Sequence, residues 1–87
     1  MSAITRPTAV PVMEKAYRSS LTASDAGTIS EGFFMVGVLN TGAADATFDG
    51  QTIPAGTAET YPFVGKAYAE GCTYDATGTT LLIKVIW

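Results

Sequence analysis

The sequence predicts an all-β protein, a small antiparallel β-sandwich of jelly-roll-like or barrel-like form behind an extended N-terminal arm. Three observations lead there. Short apolar and β-branched runs alternate with Gly-, Asp- and Pro-bearing turn signals at a spacing of roughly 8–12 residues. The closing stretch has period two, with Thr79, Leu81, Ile83, Val85 and Trp87 on one parity and Thr80, Leu82, Lys84 and Ile86 on the other. Asp49-Gly50 stands between Ala46-Thr47-Phe48 and Gln51-Thr52-Ile53, a strong hairpin signal.

In chain order, residues 1–13 read as the arm and residues 14–87 as one β-sandwich domain. Pro7 and Pro11 remove backbone donors and disfavour helix before them, while Val10, Val12 and Met13 are apolar enough to lie on a neighbouring surface. Glu14–Thr22 reads as a strand with Ala16, Arg18 and Ser20 on one side and Tyr17, Ser19 and Leu21 on the other. Ala23-Ser24-Asp25-Ala26-Gly27 is a turn cluster, continued over Thr28–Glu31 as a loop or short edge strand. Phe33–Leu39 is apolar on both parities apart from Gly37, which places it centrally and beside the C-terminal strand.

Asn40–Asp45 turns the chain into the Asp49-Gly50 hairpin. Pro54-Ala55-Gly56-Thr57 makes a second tight turn, with Pro54 suited to its second position. Ala58–Phe63 returns as a strand, Gly65–Ala69 adds a short one, and Cys72-Thr73-Tyr74 leads into a last Gly-centred turn.

Composition limits the function classes. The 87 residues include one cysteine and no histidine, so an intrachain disulfide and a thiolate–imidazole zinc site are unavailable. Serine–histidine and cysteine–histidine dyads are equally unavailable. Cys72 has an acid, Glu70, nearby and no local base, which favours inert packing. Asp45 and Asp49 lack a calcium-loop pattern, and Glu59 with Glu70 carries no specific glycosidase signal. The reading is therefore non-enzymatic, with no cofactor and no metal.

The surface points to assembly. Apolar residues make up 47% of the chain and charged residues only 15%, well below the charged share of about 25% in typical domains. A core this small supplies only about 3–5 kcal/mol, so association with copies is the remaining common reinforcement. The net charge of −3 comes without a basic cluster, which argues against nucleic acid. Arg6, Lys15 and Arg18 precede a base-free stretch from Ser19 to Gly65, so a weakly basic arm precedes an acidic body. No apolar run reaches membrane-span length, and no secretory leader is evident, which predicts cytoplasmic synthesis.

From Phe33 onward the order of features resembles a known class. An apolar strand runs into Asn40-Thr41-Gly42-Ala43-Ala44-Asp45, then Asp49-Gly50 and Ile53-Pro54-Ala55-Gly56-Thr57. Pro62-Phe63, Gly65-Lys66-Ala67-Tyr68 and Ala76-Thr77-Gly78-Thr79-Thr80 follow, ahead of an apolar terminal strand. This order resembles small β-sandwich accessory proteins of tailed-bacteriophage virions, namely capsid cement or decoration proteins and head-spike base proteins. The resemblance implies a virion protein assembled in the host cytoplasm. It would be a homo-oligomer, for instance a trimer, bound to the major capsid protein or other virion proteins.

The residues expected at the oligomer or capsid interface are Val10, Val12, Met13, Arg18, Phe33, Met35, Leu82, Ile86 and Trp87. A carbohydrate-binding module is the alternative from another class, with Tyr61, Tyr68 and Tyr74 as its stacking rings. A tail or neck adaptor is a further alternative within the same particle.

Overall fold

The computed structural model describes residues 2–5 and 17–87, and among them it contains nine strands and no helix. They are β1 (Ser2–Ile4), β2 (Arg18–Ala23), β3 (Ala26–Ile29), β4 (Met35–Asn40) and β5 (Ala46–Phe48). β6 (Gln51–Ile53), β7 (Ala58–Tyr61), β8 (Cys72–Asp75) and β9 (Leu81–Ile86) complete the set. Two sheets result, one ordered β1-β3-β8-β5-β6 and the other β2-β9-β4-β7. All pairings are antiparallel except β1 with β3, which is parallel. The chain is a small compact globule, with a radius of gyration of 12.7 Å.

β9 is the centre of the second sheet. It pairs along its whole length with β2 on one side and β4 on the other. Leu81, Ile83 and Val85 are fully buried, and Thr79 and Trp87 continue the same buried parity. Each such aliphatic side chain contributes roughly 1.5–3 kcal/mol by leaving water. From β4, Val36, Val38 and Asn40 face the same way and are buried, while Met35 and Leu39 are exposed. Ile29, Phe48, Ile53, Cys72 and Tyr74 of the first sheet join these residues in one buried cluster.

Several local expectations are met. The Asp49-Gly50 turn has φ of 52° and 81°, the paired left-handed geometry of a two-residue hairpin that follows the strand twist. The strand expected over Phe33–Leu39 lies centrally and beside β9, though it starts at Met35 and takes in Asn40 from the expected turn. Tyr17 and Leu21 pack against the core from β2 and the residue before it.

Other expectations are corrected. Pro54 occupies the first position of its turn, because its carbonyl accepts from the Thr57 amide at 3.1 Å. Ala26–Ile29 is an interior strand between β1 and β8, and neither a loop nor an edge. Cys72–Asp75 is also an interior strand, whereas Gly65–Ala69 is an irregular loop. Tyr68 is the exception in that loop, donating to the Phe33 carbonyl at 2.8 Å and accepting from the Gly32 amide at 2.9 Å. At the N-terminus, Ser2–Ile4 belongs to a sheet, with Ile4 buried against the core. The rest of the expected arm, from residue 6 to residue 13, lies outside the described residues.

One buried polar side chain joins the ends of several elements. Asn40 is fully buried at the end of β4. Its Nδ2 donates to the Ala44 carbonyl at 2.7 Å and the Ile53 carbonyl at 2.8 Å. Its Oδ1 accepts from the Gly42 amide at 3.0 Å and the Thr79 hydroxyl at 2.9 Å. These bonds fill the amide's two donors and both acceptor lone pairs. Gly42 is required here, because a Cβ would stand 2.1 Å from the Thr79 hydroxyl oxygen and 2.6 Å from the Thr80 amide nitrogen.

Asn40→Ala should therefore cost about 3 kcal/mol, since two carbonyls, an amide and a hydroxyl lose their partner. For a domain this small the corresponding fall in Tm is roughly 12–24 °C. Gly42→Ala should be of the same order. Urea unfolding followed through Trp87, the sole tryptophan, measures both. A loss below about 1 kcal/mol in either variant would mean that the network is dispensable.

Candidate functional site

Two surface features stand out, and they lie on different parts of the molecule. The first is the outer face of the β2-β9-β4-β7 sheet. Cross-strand register sets its pattern, because residues of one parity on paired strands share a face. Arg18, Ile86 and Met35 form one row across β2, β9 and β4. Ser20, Lys84, Gly37 and Thr60 form the next, and Thr22, Leu82, Leu39 and Ala58 the third.

The apolar pairs Met35–Ile86 and Leu39–Leu82 thus flank the Gly37–Lys84 pair. Met35 and Leu39 are each 38% exposed, and Leu82 and Ile86 are half-buried. The missing side chain at Gly37 leaves a groove of about 470 Å³ between the flanking pairs. Lys84 faces Gly37 across the ladder and, among the described residues, is the one charged residue lining the groove. Its four-carbon stem can lie along apolar surface while the ammonium stays in water.

At the Met35–Ile86 end, the Phe34 amide donates to the Ile86 carbonyl at 2.7 Å. The Phe34 ring meets Phe63 edge-on, with centroids 6.2 Å apart and planes at 67°. Phe63 and its neighbour Val64 are the most exposed large apolar side chains among the described residues, at 64% and 58%.

The second feature is an aromatic cleft of about 360 Å³. Three elements build it: the end of β7 supplies Tyr61, the hairpin turn supplies Asp49, and the 62–71 loop supplies Tyr68 and Glu70. Tyr68 stacks on Phe33 at 4.8 Å and 14°, and it inclines to Tyr61 at 5.5 Å and 46°. Phe48 supports Tyr61 at 5.7 Å. The Tyr61 hydroxyl donates to the Asp49 carboxylate, and the Tyr68 hydroxyl donates to the Pro62 carbonyl at 2.7 Å.

The Asp49 charge is felt through the cleft. The hydrogen bond to Asp49, with burial and the carboxylate's charge, pushes the Tyr61 phenol up to about 12. Burial, with the same charge, pushes the Cys72 thiol up to about 11. Cys72 is thus held as a neutral thiol within β8. Among the described residues, no group of three or more His, Cys, Asp or Glu side chains is placed to hold a metal ion.

No family model, curated protein or solved structure matches this chain.

The residues singled out from the sequence fall in four places. Met35, Leu82, Ile86 and Arg18 share the outer sheet face. Phe33 and Trp87, expected at an interface, are core residues at 1% and 4% exposure. For Phe33 the reason is that the strand begins only at Met35. Gly32, with φ of 96°, breaks the extended run just before Phe33, so strand parity does not reach that residue. Trp87 is turned inward and tied down, its indole N–H donating to the Ser19 hydroxyl at 2.9 Å and its amide to the Tyr17 carbonyl at 2.7 Å. Val10, Val12 and Met13 lie outside the described residues. Of the three tyrosines, Tyr61 and Tyr68 come together, whereas Tyr74 is buried in the core.

Leu39 was not singled out from the sequence, and Asp49 and Glu70 were weighed there only for calcium and glycosidase chemistry. Alternation from Met35 through Gly37 to Leu39 was a usable signal for the first. The other two meet only when the hairpin turn and the 62–71 loop converge.

Stability should fall in alkali. Both raised groups stabilise the fold in their neutral forms. That contribution is fully present below their ordinary values near 9 and 10 and is lost as pH rises through about 11 and 12. Urea midpoints measured from neutral to strongly alkaline pH should decline over that window, and Tyr61→Phe should flatten its upper part. A flat profile in the unsubstituted chain would contradict the Asp49–Tyr61 assignment.

Proposed function

We propose that this chain is a non-enzymatic structural protein, a small β-sandwich that works as a repeated subunit of a larger particle. The class it fits is the capsid cement, decoration or head-spike base protein of tailed-phage virions. The observation that carries this reading is the outer face of the β2-β9-β4-β7 sheet. Met35, Leu39, Leu82 and Ile86 form an apolar strip there with one central lysine.

Isolated surface apolar residues are ordinary, but a contiguous apolar strip on a regular sheet is a surface suited to covering by another protein. The low charged fraction and the small core point the same way. Self-association through this face, together with contacts to the capsid protein, would place many copies on a shell. Contacts through Val10, Val12 and Met13 belong to the same proposal.

Sedimentation and light scattering at micromolar concentration should find an oligomer. Leu39→Glu and Ile86→Glu should each weaken it by at least about tenfold, because a carboxylate must be desolvated in the contact. Thr47→Glu, on an exposed position of the other sheet, should leave association unchanged. Co-sedimentation with capsid shells should show the same dependence. A chain that stays monomeric and never binds shells would overturn the proposal.

A further inference from the structure

We propose that the cleft between Tyr61 and Tyr68 binds an organic cation, a guanidinium or alkylammonium group. Three observations carry it. The cleft is walled by two half-buried tyrosine rings, and aromatic faces attract cations through their quadrupole. Two exposed carboxylates, Asp49 and Glu70, stand on its rim. None of the described bases, Arg18, Lys66 and Lys84, lines it, so the described part of the chain supplies no cation of its own to the cleft.

The ring geometry selects between cation and sugar. A sugar stacks on a flat, open platform, but Tyr61 and Tyr68 incline to each other at 46° and make a corner. One face of Tyr68 is already covered by Phe33, which fixes the ring within the cleft it lines. Both hydroxyls are engaged as donors, to Asp49 and to the Pro62 carbonyl, so the corner is held rigidly. A compact planar or tetrahedral cation fits such a corner and can reach a carboxylate at the same time. About 360 Å³ accommodates a guanidinium with part of its alkyl stem.

The cation could be a basic side chain of a partner protein or a free small amine. The cleft shares no lining residue with the groove of the apolar sheet face, so the two sites are separate.

The test is a ¹⁵N chemical-shift titration of the full chain with N-acetyl-arginine amide, tetramethylammonium and methyl glucoside. The expected result is saturable, salt-weakened shifts at Tyr61, Tyr68 and Gly71 with millimolar Kd for the cations and none for the glucoside. Glu70→Gln should weaken binding by about fivefold, as for loss of an exposed ion pair. Glu70→Lys should abolish binding. Glu70 is exposed, so both variants should keep the unsubstituted Tm. Tyr68→Leu should cost roughly two- to fivefold beyond any folding effect.

A neutral peptide carrying one arginine separates the sources. Binding about tenfold tighter than the blocked amino acid, or 1.4 kcal/mol, supports a partner protein. Equal binding supports a free amine. No saturable shift with either cation, binding retained in Glu70→Lys, or response to the glucoside alone would each overturn the proposal. Self-association should be unchanged in Glu70→Lys, so failure here is distinct from failure of the assembly reading.

Discussion

The ends of both sheets depend on Asn40. A buried amide without partners would be costly, yet this one has all four of its hydrogen-bonding positions filled. Its partners come from β6, from the 41–45 loop and from the turn before β9, so one side chain fixes where three segments lie relative to β4. The backbone of the same residue adds two bonds to the 54–57 turn: its amide donates to the Thr57 carbonyl at 2.9 Å, and its carbonyl accepts from the Gly56 amide at 2.8 Å. Gly42 and Thr79 are constrained in turn by the close approach that this network demands. An apolar residue could fill the space but could not satisfy the backbone groups around it.

With those ends fixed, β9 divides the molecule's work between its two faces. Leu81, Ile83 and Val85 point into the shared core, and Leu82 and Ile86 point outward beside Met35 and Leu39. A strand apolar on both sides is costly in a free monomer and natural in a subunit. The same strand therefore links folding to the proposed assembly: its inner parity stabilises the chain and its outer parity presents the strip. Lys84, in the middle of that strip, keeps it from being uniformly apolar.

The aromatic cleft arises from a different constraint. β7 ends at Tyr61, and the 62–71 loop must return to β8 in the other sheet. Tyr68 is pinned midway by its backbone bonds to Gly32 and Phe33, which brings its ring beside Tyr61. The hairpin turn then supplies Asp49 from the first sheet. The cleft thus joins two elements of the second sheet's surroundings to one of the first, and its two carboxylates contrast with the Arg18 and Lys84 charges on the sheet face.

The sequence by itself determined the all-β class, the Asp49-Gly50 hairpin, the central place of a strand within Phe33–Leu39 and the two parities of Leu81–Ile86. Each of these rests on local turn chemistry or on period-two alternation within a few residues. It also made Met35, Leu82 and Ile86 legible as surface residues of one kind. Only the tertiary structure decided that Ser2–Ile4 joins a sheet in parallel, that Cys72–Asp75 is an interior strand, and that Phe33 and Trp87 turn inward. It also decided the roles of Asn40 and of the Asp49–Tyr61–Tyr68 corner. The physical reason is sequence distance: Asn40 bonds residues 13 and 39 positions away, and the Trp87 indole bonds one 68 positions away. Such partners leave no periodic trace in the chain, because their meeting depends on how the strands of two sheets are ordered.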